Sequence, residues 1–485
     1  MEDIQISDVL KATGGRLGKS EDGSQKTEVR IKGVSIDSRA IKSDELFVAI
    51  KGNKSDGHSF IIDAVKRGAV CAMVSQLPIT DYPLPIIVVE DTLKALGDLA
   101  SWYRGKFSIP IIGVTGSNGK TTTKELIVKC LSIKYRVCKS ESSFNSLTGV
   151  PISIFNLSST HEVGVFEVGT NQMGEMARLA NIVSPKFAVI TNIGPTHLES
   201  FKTIEGVLDE KLNLVRAAEI AILNADDPWL AQVQIKAFRY GIECGNLRAE
   251  ILDSMNGTKF KARDVIFTLP LYGRYQVYNT LAALSIGLQF GLGLDEMSEV
   301  IKTVNPSTHR DEIIWVDAGP LTRNTIKIID STYNANPMSM ELAIRELSNH
   351  KNMRRVAILG DMFELGDNAL DFHTKIGKLL KELNIDIVIG YGELAKGYIE
   401  GKLQSSNAKI QSSPPGADQP PAENEIQMPE DNGSGSCNKF YFSDLTLLIN
   451  ELESIIKSGD VILVKGSRAM GMERIVESLK LKVKS

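Results

Sequence analysis

The stretch Gly113-Val-Thr-Gly-Ser-Asn-Gly-Lys-Thr-Thr-Thr123 decides the fold. It follows the apolar run Ile109-Pro-Ile-Ile-Gly-Val114 and opens a helical stretch from Thr122 to about Leu131. Glycines let successive backbone N–H groups curl around phosphate oxygens, and a helix start adds favourable partial charge. Lys120 can reach β- and γ-phosphates, and the Thr121 hydroxyl can ligate Mg2+. The standard phosphate loop has glycine where Val114 stands; here the first glycine is Gly116. Thr115, Gly116, Ser117, Asn118, Gly119, Lys120, Thr121 and Thr122 are the candidate nucleotide contacts. A structural turn is the alternative.

Outward from that loop the chain alternates strands and helices. Val163-Gly-Val-Phe-Glu-Val, Phe187-Ala-Val-Ile-Thr-Asn, Ile220-Ala-Ile-Leu-Asn, Ile326-Lys-Ile-Ile-Asp, Val356-Ala-Ile-Leu-Gly-Asp, Ile385-Asp-Ile-Val-Ile-Gly and Val461-Ile-Leu-Val-Lys-Gly are short, β-branched and largely apolar. Such runs suit strands of a parallel sheet covered on both faces, so the fold class is α/β. Ligands of such sheets bind beyond the carboxyl ends of the strands. Glu167 ends one strand, His197 follows another, and Asn224-Ala-Asp-Asp-Pro228 ends a third. A carboxylate beside phosphate suits Mg2+. Taken alone, His197 reads more readily as a packed or surface residue than as a ligand, and Asn224–Pro228 reads equally well as a turn.

At about 150 residues per domain, 485 residues suggest three. The blocks are a small α/β unit at 1–105, the phosphate-loop domain at 106–306, and a Rossmann-like strand–helix alternation at 307–485. Asn305-Pro306 is a plausible junction, because the residue before proline is pushed out of helix. The stretch 404–437 is rich in Pro, Ser, Gln and Glu; its composition cannot bury a core, and it reads as a disordered insertion. Lys plus Arg is 55 and Asp plus Glu 59, a balance that argues against a nucleic-acid partner. No run is long and apolar enough for a membrane span, and the acidic start, Met1 to Asp8, reads as neither a secretory signal nor a mitochondrial presequence. Five scattered cysteines with no CxxC suit a reduced, cytoplasmic protein.

Thr115-Gly-Ser-Asn-Gly-Lys-Thr-Thr122, Glu167-Val-Gly169, Asn192-Ile-Gly-Pro-Thr-His-Leu-Glu199 and Asn224-Ala-Asp-Asp-Pro228 together resemble the ATP-dependent Mur ligases, along the whole chain. Asp330-Ser-Thr-Tyr-Asn-Ala-Asn-Pro337, Leu359-Gly-Asp-Met-Phe-Glu-Leu-Gly366 and Val464-Lys-Gly-Ser-Arg-Ala-Met-Gly-Met-Glu473 are similar to the members that join D-alanyl-D-alanine to a UDP-N-acetylmuramoyl-tripeptide. The resemblance implies those two small-molecule substrates, ATP, two Mg2+ ions and a monomer. It implies that Ser38 and Arg39, in Val34-Ser-Ile-Asp-Ser-Arg39, meet the uridine nucleotide; for Arg39 a loop salt bridge is the competing reading. It places Asn279 near adenine, Arg310 near the ATP phosphates, Asp330 at ribose, and Asn334 and Asn336 near the dipeptide. Thr121, Glu167 and His197 would serve the metals. Lys211 falls where the family often carries a carbamylated lysine, although Asn213 replaces the usual Glu; a solvated helix lysine is the alternative. Tyr275 and Gln276 stand where the family usually has His and Asn.

The expected chemistry is amide ligation. ATP converts a carboxylate to an acyl phosphate, an amine attacks, and phosphate leaves, with Lys120, Lys211 and His197 serving the reaction. The rivals are the lysine- or diaminopimelate-adding member of the family, a P-loop kinase or NTPase switch, and an inactive nucleotide-binding scaffold.

Overall fold

Alternating runs that are apolar on both faces are realised as three large sheets flanked by helices, beside a two-stranded antiparallel pair, Ile4–Gln5 with Arg30–Ile31. The computed structural model describes residues 1–18, 27–52, 55–76, 82–141, 144–253, 257–305, 309–317, 325–400 and 438–482. The expected insertion at 404–437 and the junction proline Pro306 lie outside the described residues.

The central sheet runs, edge to edge, Val137–Lys139, Val163–Glu167, Ile111–Thr115, Phe187–Ile190, Ile220–Asn224, Ala237–Gly241, Leu247–Asp253, Thr258–Ala262 and Val265–Leu269. The pairs from Val137–Lys139 through Leu247–Asp253 are parallel; the last two pairs are antiparallel. Chain order reverses around Ile111–Thr115, whose neighbours are the strands ending at Glu167 and Ile190. That reversal opens the crevice in which α/β sheets bind ligands. The antiparallel extension was not anticipated, because its strands alternate polar and apolar residues rather than forming apolar runs.

The N-terminal sheet orders Arg16–Leu17, Ile86–Val88, Cys71–Val74, Glu45–Val48 and Gly33–Ser35. The C-terminal sheet orders Glu312–Asp317, Thr325–Ser331, Asp460–Lys465, Arg354–Gly360, Ile387–Tyr391 and Asn438–Phe442, parallel except for the first pair.

The two N-terminal units are fused. Ile4, Leu46, Met73, Leu99 and Tyr103 share one buried core with Ile154, Phe166, Leu179 and Leu223. Tyr103 stitches it with its hydroxyl, which donates to Leu157 O at 2.7 Å and accepts from Glu2 N–H at 2.6 Å. The C-terminal sheet has separate cores on its two faces, built from residues such as Ile344, Leu359 and Leu463, and Ile328, Leu448 and Ile475. It reaches the central domain chiefly through the contacts described next.

Candidate active site

The loop after Ile111–Thr115 is shaped by backbone that only glycine tolerates. Gly116 and Gly119 take φ of 145° and 79°. A Cβ on Gly116 would collide with Thr191 Oγ1, and one on Gly119 with Asn279 Oδ1. With Gly119 left-handed, the following helix begins at Lys120 and runs to Leu131, two residues earlier than expected. The neighbouring strand end clasps the loop: Asn118 N–H donates to Asn192 Oδ1 at 2.9 Å, and Asn192 Nδ2 donates to Asn118 O at 3.0 Å. Lys120 Nζ donates to the carbonyls of Gly116 at 2.8 Å and Ser117 at 3.2 Å. Burial lowers its pKa; Glu167 opposes that shift and Arg310 adds to it.

Glu167 ends the adjacent strand almost wholly buried. Its carboxylate accepts from Thr121 Oγ1 at 2.7 Å and Asn145 Nδ2 at 2.8 Å. Hydroxyl and carboxylate thus meet where two strand ends converge, a hard-oxygen pair suited to Mg2+. Among the described residues no three His, Cys, Asp or Glu side chains cluster as metal ligands. A cation here would therefore rest partly on phosphate oxygens. His197, at φ 52°, lines the same cleft, and its Nδ1 meets Glu364 Oε2 of the C-terminal domain at 2.5 Å.

Lys211 sits on the helix Ile204–Arg216 and is buried, not solvated. Burial, reinforced by the charge of Lys120, pushes its ammonium down to about 7, against the pull of Glu210. Glu210 itself accepts from the N–H groups of Gly174 at 2.9 Å and Met176 at 2.7 Å.

The C-terminal domain closes the other side of a cleft of about 270 Å³. Arg310, Tyr333, Asn334, Asn336 and Lys465 face Ser117, Asn118, Lys120, Thr122, Glu167 and His197 across it. Asn118 and Asn336 exchange side-chain amide hydrogen bonds at 3.2 and 2.8 Å. Asn336 also caps the helix Pro337–Ser348 by accepting from Ser339 N–H at 2.9 Å. Arg310 lies on the face of Tyr333, 3.6 Å from the ring centre. Asn279 joins the phosphate-loop helix through Thr123 Oγ1 at 3.2 Å and donates to Gln276 Oε1 at 3.0 Å. Tyr275 donates to Asp311 Oδ2 of the C-terminal domain at 2.8 Å.

Seven of the expected residues stand outside the cleft lining: Thr115, Gly116, Thr121, Lys211, Asp330, Ser38 and Arg39. Asp330 is fully buried, with His309 Nδ1 at 2.8 Å and the Thr332 hydroxyl at 2.7 Å on its carboxylate. Ser38 and Arg39 belong to the N-terminal block. Arg39 there forms a two-pronged pair with Asp37 at 2.9 and 2.8 Å. That pair holds the Asp37 carboxyl at about 2.

The chain matches the Mur ligase family catalytic domain over residues 30–104, the Mur ligase middle domain over 114–287, and the Mur ligase glutamate ligase domain over 319–468. The chain belongs to the Mur ligase family. It is 32% identical over 93% of both chains to the UDP-N-acetylmuramoyl-tripeptide–D-alanyl-D-alanine ligase of Bacillus subtilis. With the Escherichia coli enzyme of the same name it shares 30% identity, over 98% of this chain and 97% of the other. Among solved structures it resembles MurF from Acinetobacter baumannii, with a TM-score of 0.83 at 27% identity over 99% of each chain. It also resembles Thermotoga maritima MurF ligase in complex with ADP, with a TM-score of 0.76 at 26% identity over 93% of this chain and 98% of that one.

Reading this Mur ligase by motif passed over Asn145 and Lys465 as site residues. Asn145 lies in a polar loop with no pattern of its own. Lys465 ends an apolar strand, Asp460–Lys465, and the strand-end rule that picked out Glu167 applies to it equally.

Proposed function

We propose that this Mur ligase uses ATP to join D-alanyl-D-alanine to UDP-N-acetylmuramoyl-tripeptide, forming the pentapeptide precursor of peptidoglycan. The observation that carries the reading is the cleft itself: a phosphate loop and a buried carboxylate on one wall face Asn334, Asn336 and Lys465 on the other. Neither wall alone would bring an activated carboxyl to an amine. The full-length similarity to ligases of that name supports the choice of substrates.

The loop from Thr115 to Thr122 would hold the ATP phosphates, with Asn279 near the adenine. Lys120 would leave its loop carbonyls for the phosphates and neutralise charge as the γ-phosphoryl passes to the tripeptide carboxylate. Arg310, held against Tyr333, approaches the same phosphates from the opposite wall. The dipeptide amine then attacks the acyl carbon, and phosphate leaves from the tetrahedral intermediate. Thr121 and Glu167 are fitted to hold one Mg2+, and Glu167 with His197 a second; bound there, Mg2+ supplies charge neutralisation at the phosphate oxygens. Asn334 and Asn336 would orient the dipeptide, and Ser38 and Arg39 the uridine nucleotide. In the last role Arg39 has to exchange Asp37 for phosphate. Asp330 would act on the ribose side by fixing His309.

Lys211 is read as the carbamylated lysine of the family. A neutral amine attacks carbon dioxide and loses a proton to give a carbamate anion. Burial that favours the neutral amine prepares Lys211 for that step. The divisions at 105/106 and 306/307 fit the sheets, each of which falls within one block. A cytoplasmic monomer is the accompanying reading; among the described residues no helix is long and apolar enough to cross a membrane.

Phosphate release measured with each substrate omitted in turn tests the proposal. Turnover requiring both UDP-N-acetylmuramoyl-tripeptide and D-Ala-D-Ala, with a product heavier by the dipeptide less water, is the expected result. Turnover with lysine or diaminopimelate on the dipeptide acceptor instead would transfer the chain to a sibling activity.

A further inference from the structure

Three segments of the C-terminal domain meet at one point on the cleft wall. Lys465 donates from Nζ to Ser331 Oγ and to Asn334 O, both at 2.9 Å. Arg468 N–H donates to Asn334 Oδ1 at 3.3 Å. Ser467 N–H donates to Asp361 O at 3.0 Å, and Phe363 N–H to Ser467 Oγ at 2.9 Å. Residues 331–334, 361–363 and 465–468 are thereby held as one surface, with Lys465 at its cleft edge.

Lys465 is 4% exposed. An ammonium has three N–H donors, and two here go to neutral oxygens. Among the described residues no carboxylate stands within ion-pair distance of it. Burial pushes it down to about 8, opposed by the more distant Asp311 and abetted by Arg310. A buried cation without an anionic partner is costly, and a site that retains one is prepared for an anion from outside.

The incoming dipeptide has an amine at one end and a carboxylate at the other. The amine must reach the acyl carbon beside Lys120 and Glu167. Two extended residues span about 7 Å at most, so the carboxylate must be received within the same cleft. Resting on the ligase reading above, we propose that the Lys465 ammonium binds the C-terminal carboxylate of the incoming D-Ala-D-Ala, while Ser331 and Asn334 hold that ammonium in place. Lys465 is then a specificity-determining residue for a dipeptide with a free carboxylate.

The test compares D-Ala-D-Ala with its C-terminal amide, D-alanyl-D-alaninamide, as substrates of the full-length enzyme. The native enzyme is expected to prefer the acid by about 100-fold in kcat/KM, the scale of one charge-assisted hydrogen bond. Lys465→Met should bring the acid down to the level of the amide, through KM for the dipeptide, with KM for ATP unchanged. Lys465→Arg should keep much of the preference. If Lys465→Met does not fold, Lys465→Gln and Lys465→Arg are compared in the same way. A native enzyme indifferent to acid and amide overturns the assignment without any variant. So does a preference that survives in Lys465→Met or Lys465→Gln, or a rise confined to KM for ATP, which would give Lys465 to the nucleotide. A native enzyme that does not consume D-Ala-D-Ala at all would instead overturn the ligase reading.

Discussion

The two walls of the cleft hold their lysines differently. Lys120 rests on carbonyls three and four residues before it, within one glycine-rich turn. Lys465 rests on Ser331 and Asn334, 134 and 131 positions away. The first arrangement is local, so a short motif announces it. The second is assembled by the order of a parallel sheet, in which Asp460–Lys465 lies beside Thr325–Ser331 despite the chain between them. On the proposed reading, a local cradle would serve a constant ligand, the phosphate chain. An assembled one can be rebuilt for a different incoming amine.

The sharpest way to break this contrast is Lys120→Ala. Ligation should fall by about 10³-fold or more, since charge neutralisation in phosphoryl transfer is lost. Calorimetric binding of UDP-N-acetylmuramoyl-tripeptide should persist, because its uridine contacts are assigned to another domain. Near-normal turnover would remove the loop from the chemistry.

Next in size is Lys211, a central-domain lysine held by burial rather than by either kind of cradle. Lys211→Ala is expected to cost about 100-fold in turnover, Lys211→Glu somewhat less, and removal of bicarbonate should slow the native enzyme. Full activity of Lys211→Ala at saturating Mg2+ would leave Thr121, Glu167 and His197 to carry the metals alone.

The bridge between the walls should show a smaller effect. A double-mutant cycle on Asn118→Ala and Asn336→Ala is expected to give a coupling of about 1 kcal/mol in transition-state stabilisation. Asn336→Ala alone should also lower the melting temperature, having removed a helix cap worth about 1 kcal/mol. Strict additivity would mean that the walls act independently. Smallest of all, replacing 404–437 with a short Gly/Ser linker should leave melting temperature and turnover unchanged, judging from composition. A large loss in either would show that the stretch contributes to the enzyme.

Much of the fold was legible because its signals are local. The apolar runs ending at Thr115, Glu167, Ile190, Asn224, Ser331, Gly360, Tyr391 and Lys465 are strands close to where their composition put them. The segment 247–269 was not read as sheet, since its half-exposed strands lack such runs. In the site, Gly116, Gly119, Lys120 and Thr121 announced themselves. Asn145, whose value lies in its contact with Glu167 from 22 positions away, did not. Asp330 was read from its motif as a ribose contact; its carboxylate is buried against His309, a contact that no local pattern encodes. Tyr275, replacing a family histidine, turns out to reach Asp311 across the domain boundary, a use that no local pattern encodes.

The core shared by Tyr103 and its neighbours has a consequence for how the molecule comes apart. Residues from Ile4 to Leu230 contribute to one apolar cluster, and among the described residues of the C-terminal domain only Phe372 packs against its edge. Cooperative unfolding follows shared apolar burial, whereas hydrogen bonds across a wet cleft transmit little of it. The first two domains should therefore melt together as one calorimetric unit and the third as another. Nucleotide held between Lys120 and Arg310 would draw the two transitions toward each other, because only the assembled cleft binds it.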